Sequence, residues 1–116
     1  MRCTVFMLQE AEFDLEAIFQ YILDSGNPAA AKDMIRLIRN ACDSLSQMPD
    51  RGHVPPELAR TDNYEYRQII VESYRIIYQV VESNVFIFGI IHGRRNVDEV
   101  LKQRLLMQLC FFTESR

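Results

Sequence analysis

Apolar positions along this chain change their spacing several times, and each change marks an element. Over residues 2–8, Cys3, Val5 and Met7 alternate with Thr4, Phe6 and Leu8, the period of a strand, here expected to be buried on both faces. From Ala11 the spacing turns helical. Ala11, Leu15, Ile18, Phe19 and Ile22 share one face, while Glu10, Glu12, Asp14 and Glu16 crowd the first turns, where the helix dipole favours negative charge. Asp24-Ser25-Gly26 ends this helix, and Asn27-Pro28 begins another as N-cap and first helical residue. Its stripe is Ala31, Met34, Ile35, Ile38, Cys42 and Leu45, closing before Pro49. So short a connection makes the two helices antiparallel neighbours. Their stripes still need a cover, because each large side chain left in water forgoes about 1.5–3 kcal/mol.

The cover lies downstream. After a breaker-rich loop, PDRGHVPPELARTDN (49–63), come three β-rich runs at 64–71, 74–81 and 85–92. Glu72-Ser73 and Glu82-Ser83-Asn84 separate them, tight enough for hairpins. Asn96, followed by Glu99, has the spacing of a capping box for a final helix carrying Val97, Val100, Leu101 and Leu105. The pattern therefore predicts an α+β fold. An N-terminal strand and an antiparallel two-helix hairpin pack on a mainly antiparallel sheet of three to four strands, and a short C-terminal helix follows. The second sheet face and the ending LLMQLCFF look too apolar for a lone monomer.

At 116 residues, 48% hydrophobic and 25% charged, the chain is expected to form a single domain over 1–116. Sixteen acids against thirteen Lys and Arg leave a net charge of −3, which argues against binding carried by phosphate contacts. The start MRCTVFMLQEAE does not read as a secretory signal, and the longest apolar run, Val85–Ile91, is far short of the roughly 20 residues that span a bilayer. Cys3, Cys42 and Cys110 are widely spaced in apolar settings, so they are expected to be reduced, packed thiols of a cytosolic protein rather than a disulfide framework or a metal site.

The most apolar strand ends abruptly in cations, GIIHGRRN (89–96). If Ser83-Asn84 is the turn, Glu82 pairs with Val85 and Arg75 falls opposite His92, with Arg94 and Arg95 just past the strand end. Arg67 joins them only if a bulge or three-residue turn intervenes at Glu72-Ser73, since a two-residue turn sends it to the other face. Such a cluster could hold a phosphate, or stabilise a phosphoryl transition state with His92 as acid or base. The plainer alternative has Arg75 paired with Glu65 or Glu72, and Arg94 and Arg95 solvated near Asp98 and Glu99. No second general acid or base stands out: His53 sits in the long loop, and no lysine falls between Lys32 and Lys102. The group is poorly equipped to cut RNA and better suited to docking. Tyr64, Tyr66, Tyr74 and Tyr78 read as half-buried packing residues, with interface anchoring as the sharper alternative.

AEFDLEAIFQYI, the AA of the second helix, SLSQMPDRGHVPPEL, YRQIIVESYRIIYQV and VFIFGIIHGRRN together resemble the ParE toxins of the RelE/ParE superfamily, over about residues 4–101. The resemblance implies the toxin of a bacterial type II toxin–antitoxin (plasmid stabilisation) module, neutralised in the cytoplasm by a ParD-like antitoxin in a hetero-oligomer. It implies no cofactor, no metal, no membrane and no sequence-specific nucleic-acid binding by the toxin. Two activities occur in the superfamily. The RelE-like branch cleaves mRNA on the ribosome, and on that reading Arg67, Arg75 and His92 are the catalytic candidates. The ParE-like branch poisons DNA gyrase by binding. The absent C-terminal tyrosine and the missing lysines favour ParE. Contacts to target or partner are then expected at Tyr66, Arg67, Arg75, His92, Arg94, Arg95, Leu105 and Leu106. The apolar tail LLMQLCFFTESR departs from the pattern and keeps a third reading open, an inactive toxin fold that serves only as an antitoxin partner.

Overall fold

The computed structural model describes the backbone over residues 2–114 and the side chains over residues 2–106. The chain runs β1 (Thr4–Met7), α1 (Gln9–Asp24), α2 (Pro28–Ser44), α3 (Pro56–Ala59), β2 (Arg67–Val71), β3 (Tyr74–Val81), β4 (Asn84–His92) and α4 (Val97–Glu114). The four strands form one sheet in the order β1-β4-β3-β2, with β1 parallel to β4 and the other neighbours antiparallel. This is the expected α+β architecture.

Local chemistry accounts for the boundaries. The Asn27 side chain accepts from Ala30 N–H at 3.1 Å with Pro28 behind it, and Asn96 Oδ1 accepts from Glu99 N–H at 3.1 Å. The α1/α2 hairpin lays Ala11, Leu15, Ile18, Ile38, Cys42 and Leu45 on one sheet face, against Ile69, Ile76, Tyr78, Val85, Ile87 and Ile90. Burial there pushes the Cys42 thiol up to about 12, with the neighbouring Asp43 charge adding to the shift, so it stays protonated. β1 departs from expectation. It is the edge strand with only the helical face covered, so Thr4 and Phe6 are exposed.

The second sheet face is closed in part from within the chain. Val54, Leu58 and Tyr66 from the long loop and Val97, Val100 and Leu101 from α4 pack on Ile77, Phe88 and Ile91. The loop expected at 49–63 thus contains a structured turn, α3, started by Pro56 and anchored by the buried Leu58. On the same face Phe6 stacks on Phe86 with ring centroids 5.4 Å apart, and Phe6 stays 44% exposed.

Both hairpins close through a two-residue Glu-Ser turn, Val71 facing Tyr74 and Val81 facing Asn84. Each holds its glutamate in the left-handed region, Glu72 at φ 54° and Glu82 at φ 57°. Glutamate pays a steric penalty there that glycine does not. Glu82→Gly and Glu72→Gly are each expected to stabilise the fold by about 0.5–1 kcal/mol, seen in thermal denaturation as a rise of roughly 2–5 °C.

Candidate functional site

The turn geometry decides which cations meet. The β3–β4 turn is Glu82-Ser83 rather than Ser83-Asn84, and a bulge between Ile77 and Tyr78 on the β3 side leaves Phe88 unmatched on β4. Arg75 therefore faces Ile91, and His92 faces Tyr74, one residue away from the expected register. A slip of one residue exchanges faces. The β2–β3 turn has two residues, so Arg67 pairs with Tyr78 and Ile70 with Arg75. Arg67 and His92 lie on the helical side of the sheet, while Arg75 lies on the other. Of the catalytic candidates, Arg67 is kept apart, while Arg75 and His92 lie on opposite faces yet border one groove at the sheet end.

Arg75 is instead the hub of a network. Its Nε and Nη2 donate to Gly93 C=O at 3.0 and 2.7 Å, and its Nη1 donates to both oxygens of Glu57 at 2.9 and 2.8 Å. Neither Glu65 nor Glu72 is its partner. The Arg75 and Glu57 side chains are only 17% and 16% exposed, so the pair is largely withdrawn from water. Burial pushes the Glu57 carboxyl up, but its hydrogen bonds from Arg75, from its own backbone N–H and from Val97 N–H outweigh that, assisted by the Arg75 charge. The carboxyl ends below its ordinary range. Val97 N–H is the start of α4, so Glu57 also serves the helix dipole. Arg75 Nη1 reaches Gln68 Oε1 at 3.3 Å, which orients the amide so that Gln68 Nε2 donates to His53 Nε2 at 3.0 Å.

Arg67 serves the loop. Its Nη1 donates to Gly52 C=O at 2.9 Å, beside Tyr78, whose hydroxyl donates to Pro49 C=O at 2.8 Å and accepts from Gly52 N–H at 3.0 Å. Burial raises the pKa of the Tyr78 phenol. Tyr66 is buried edge-on against Phe88, with centroids 5.1 Å apart, so its ring is a packing residue.

What remains open at the end of the sheet is a ridge with a groove on either side. The ridge is Ser73, Tyr74 and His92, the last two edge-to-face at 5.9 Å. His92 Nδ1 accepts from Arg94 N–H at 3.2 Å, so the neutral ring carries its proton on Nε2. One groove, about 480 Å³, is lined by His53, Gln68, Ile70, Arg75 and Arg94. The other, about 560 Å³, runs under α1 and α2 past Tyr21, Ile22, Met34 and Arg95. Ile70 is 59% exposed in the first groove and Tyr21 75% exposed in the second, and Arg94 and Arg95 are exposed beside them. Leu105 and Leu106 are exposed on α4, whereas the side chains of the tail from residue 107, Cys110 included, lie outside the described residues. Among the described residues no cluster of His, Cys, Asp or Glu is arranged to hold a metal ion, and no helix is long and apolar enough to cross a membrane.

Sequence reasoning missed four of the polar residues that shape this end: Glu57, Gln68, Asp14 and Arg104. Arg104 left one trace, since it continues the apolar stripe Val97, Val100, Leu101 at helical spacing and so had to point inward.

A helical hairpin on a mixed four-stranded sheet is the fold of known ParE and RelE toxins. Two solved structures share it: the chromosomal ParDE toxin–antitoxin system from P. aeruginosa, with TM-score 0.66 at 18% identity over 78% of this chain and 96% of that one, and the RelBE2 toxin–antitoxin complex from Mycobacterium tuberculosis, with TM-score 0.52 at 21% identity over 79% and 99%. Residues 5–97 match the family described as the ParE toxin of the type II toxin–antitoxin system parDE. A relative named toxin RelE2, from Caulobacter vibrioides, is 34% identical over 82 residues, covering 71% of this chain and 85% of its own length. The chain belongs to the ParE toxin family of type II toxin–antitoxin systems.

Proposed function

We propose that this toxin acts by gripping a protein target, DNA gyrase, rather than by cutting RNA, and that a ParD-like antitoxin holds it inactive in the bacterial cytoplasm as part of a plasmid-stabilisation module. The observation that carries this reading is the fate of Arg75. Its guanidinium is spent on Glu57, Gly93 and Gln68, on the sheet face opposite Arg67 and His92. Phosphoryl-transfer chemistry needs an arginine free to meet developing charge, within reach of an acid or base. Arg75 here positions the His92-Gly93-Arg94 rim through Gly93 C=O. That rim, with Arg95 and the apolar floor of Tyr21, Ile22 and Tyr74, has the make-up of a protein-docking surface: aromatic anchors ringed by exposed cations. An acidic, apolar segment of the antitoxin fits it in charge and chemistry, and Leu105 and Leu106 on α4 offer a second contact.

Antitoxin-free chain added to gyrase and relaxed DNA is expected to block supercoiling and trap double-strand breaks, with both effects reversed by the antitoxin. Uninhibited gyrase at a large molar excess of the chain would refute the gyrase target. Failure to form a stable complex with the antitoxin would refute the partner.

A further inference from the structure

The connection from β4 to α4, His92 to Val97, has a fixed backbone although its arginines reach water. Gly93 N–H donates to Ser73 C=O at 2.7 Å, Arg94 N–H to His92 Nδ1 at 3.2 Å and Arg95 N–H to His92 C=O at 3.0 Å. Two further contacts come from one ion pair. Arg75 donates to Gly93 C=O through Nε and Nη2, and Val97 N–H donates to Glu57 Oε2 at 3.3 Å. Because Arg75 and Glu57 are joined to each other, the connection is held at both ends by the same pair. A buried ion pair adds little net stability over apolar packing of the same volume, since desolvating two charges offsets their attraction. The reason for this one is to be sought in what it holds.

It holds Arg94 and Arg95. The two are neighbours in sequence, yet they border different grooves: Arg94 lines the one with His53 and Ile70, Arg95 the one with Tyr21 and Met34. The grooves meet at the ridge of Ser73, Tyr74 and His92, which both share. Among the described residues neither arginine makes a salt bridge. Two carboxylates border the grooves. Glu72 stands exposed on the hairpin turn of the first, and Asp14 in the second is already matched by Arg104 at 2.8 and 3.0 Å. Arg104 arrives from α4 across Gly89, where a Cβ would lie 2.5 Å from its Nη1. Each side of the ridge thus offers an exposed guanidinium beside apolar side chains.

We propose that Arg94 and Arg95 form a two-sided clamp for one acidic segment of the antitoxin, which crosses the ridge from groove to groove, and that Arg75 and Glu57 are the clamp's positioning residues. This rests on the docking reading of the same sheet end. A segment lying across the ridge meets one guanidinium on each side, on a backbone that needs no ordering when the complex forms. Preorganisation of that kind adds affinity by removing an entropic cost, and it shows chiefly as slower dissociation.

The test is the kinetics of antitoxin binding, by surface plasmon resonance, for wild type, Arg94→Ala, Arg95→Ala and the double variant. Each is made also with Glu57→Ala, with Arg75→Lys and with Val85→Ala, and measured where every chain is folded. Val85 is buried at the opposite end of β4 from His92, so its truncation weakens the fold without touching the clamp. In the otherwise wild-type chain each single substitution is expected to weaken the complex about threefold and both about tenfold, with the loss shrinking as salt rises. With Glu57→Ala, or with Arg75→Lys, which keeps the charge but not the planar fork, the loss of both should fall to about twofold. With Val85→Ala it should stay about tenfold. No loss for the double variant would refute the docking reading, and the clamp with it. A loss carried by one arginine alone, or untouched by salt, would overturn the acidic segment that crosses the ridge. An equal loss with and without the Arg75–Glu57 pair, or one that Val85→Ala narrows as well, would overturn the positioning role and leave docking in place.

Discussion

Arg75→Ala is expected to destabilise the fold by about 3 kcal/mol, the lower part of the range for breaking a buried ion pair, and to lower the melting temperature by roughly 10 °C. The loss has three sources. Glu57 keeps a charge in a place mostly closed to water, Gly93 C=O loses two donors, and the Gln68–His53 link loses the contact that orients it. Arg75→Lys should recover only part of the loss, because an ammonium cannot reach Glu57 and Gly93 with the geometry of a planar fork. The same pair makes a pH prediction. The Glu57 carboxyl lies below its ordinary value of 4.5 in the folded state. Its contribution is therefore fully present above the unfolded value and is lost as pH falls through the lower, folded one. Glu57→Gln should be less stable than wild type at neutral pH, with the gap narrowing below about pH 4.5, as measured by denaturant unfolding across that range. A gap that widens on acidification would show that Glu57 is not held ionised by Arg75.

Gly52→Ala is the second large effect, at about 3 kcal/mol, combining overpacking with lost buried hydrogen bonds. A Cβ on Gly52 would lie 2.5 Å from the Tyr78 hydroxyl and 2.6 Å from Gln68 C=O. The second contact is backbone and cannot swing away. Relief requires the loop to lift, which breaks the Tyr78 and Arg67 bonds to Gly52 and the His53–Gln68 backbone pair that shields the edge of β2. Tyr78→Phe removes only the hydroxyl and leaves Pro49 C=O and Gly52 N–H short of a partner, a loss of about 2 kcal/mol. Because the two substitutions damage one loop anchor, the double variant should lose less than the sum of the singles. Full additivity in thermal unfolding would mean the loop is pinned elsewhere.

Features carried by neighbours in sequence were legible from residues alone. Asn27-Pro28, Asn96 with Glu99, and the stripes of α1 and α2 depend on contacts within a turn or two, and they appear as expected. The resemblance to ParE toxins likewise rested on the hairpin strands and the HGRR ending, and the family match agrees. Register was harder. Ser83-Asn84 and Glu82-Ser83 are equally plausible turns by composition, and the choice between them, with the bulge at Phe88, decides whether Arg75 and His92 share a face. Partners far along the chain were out of reach. Glu57 meets Arg75 across 18 residues and Asp14 meets Arg104 across 90, and nothing in the spacing of either pair announces the contact. Gly89, read only as part of an apolar run, takes its meaning from a guanidinium that arrives from α4.

On the proposed reading the sheet end is a grip rather than a blade. The cations that could have formed a cutting site are divided between two faces, and the one on the second face already holds the molecule together. The most direct test of this is to incubate antitoxin-free chain with ribosomes translating a defined mRNA and to map the 5′ ends. The message should remain intact at chain concentrations that stop gyrase. Cuts phased with the codons, and abolished by His92→Gln in a variant that still folds and binds antitoxin, would contradict the account.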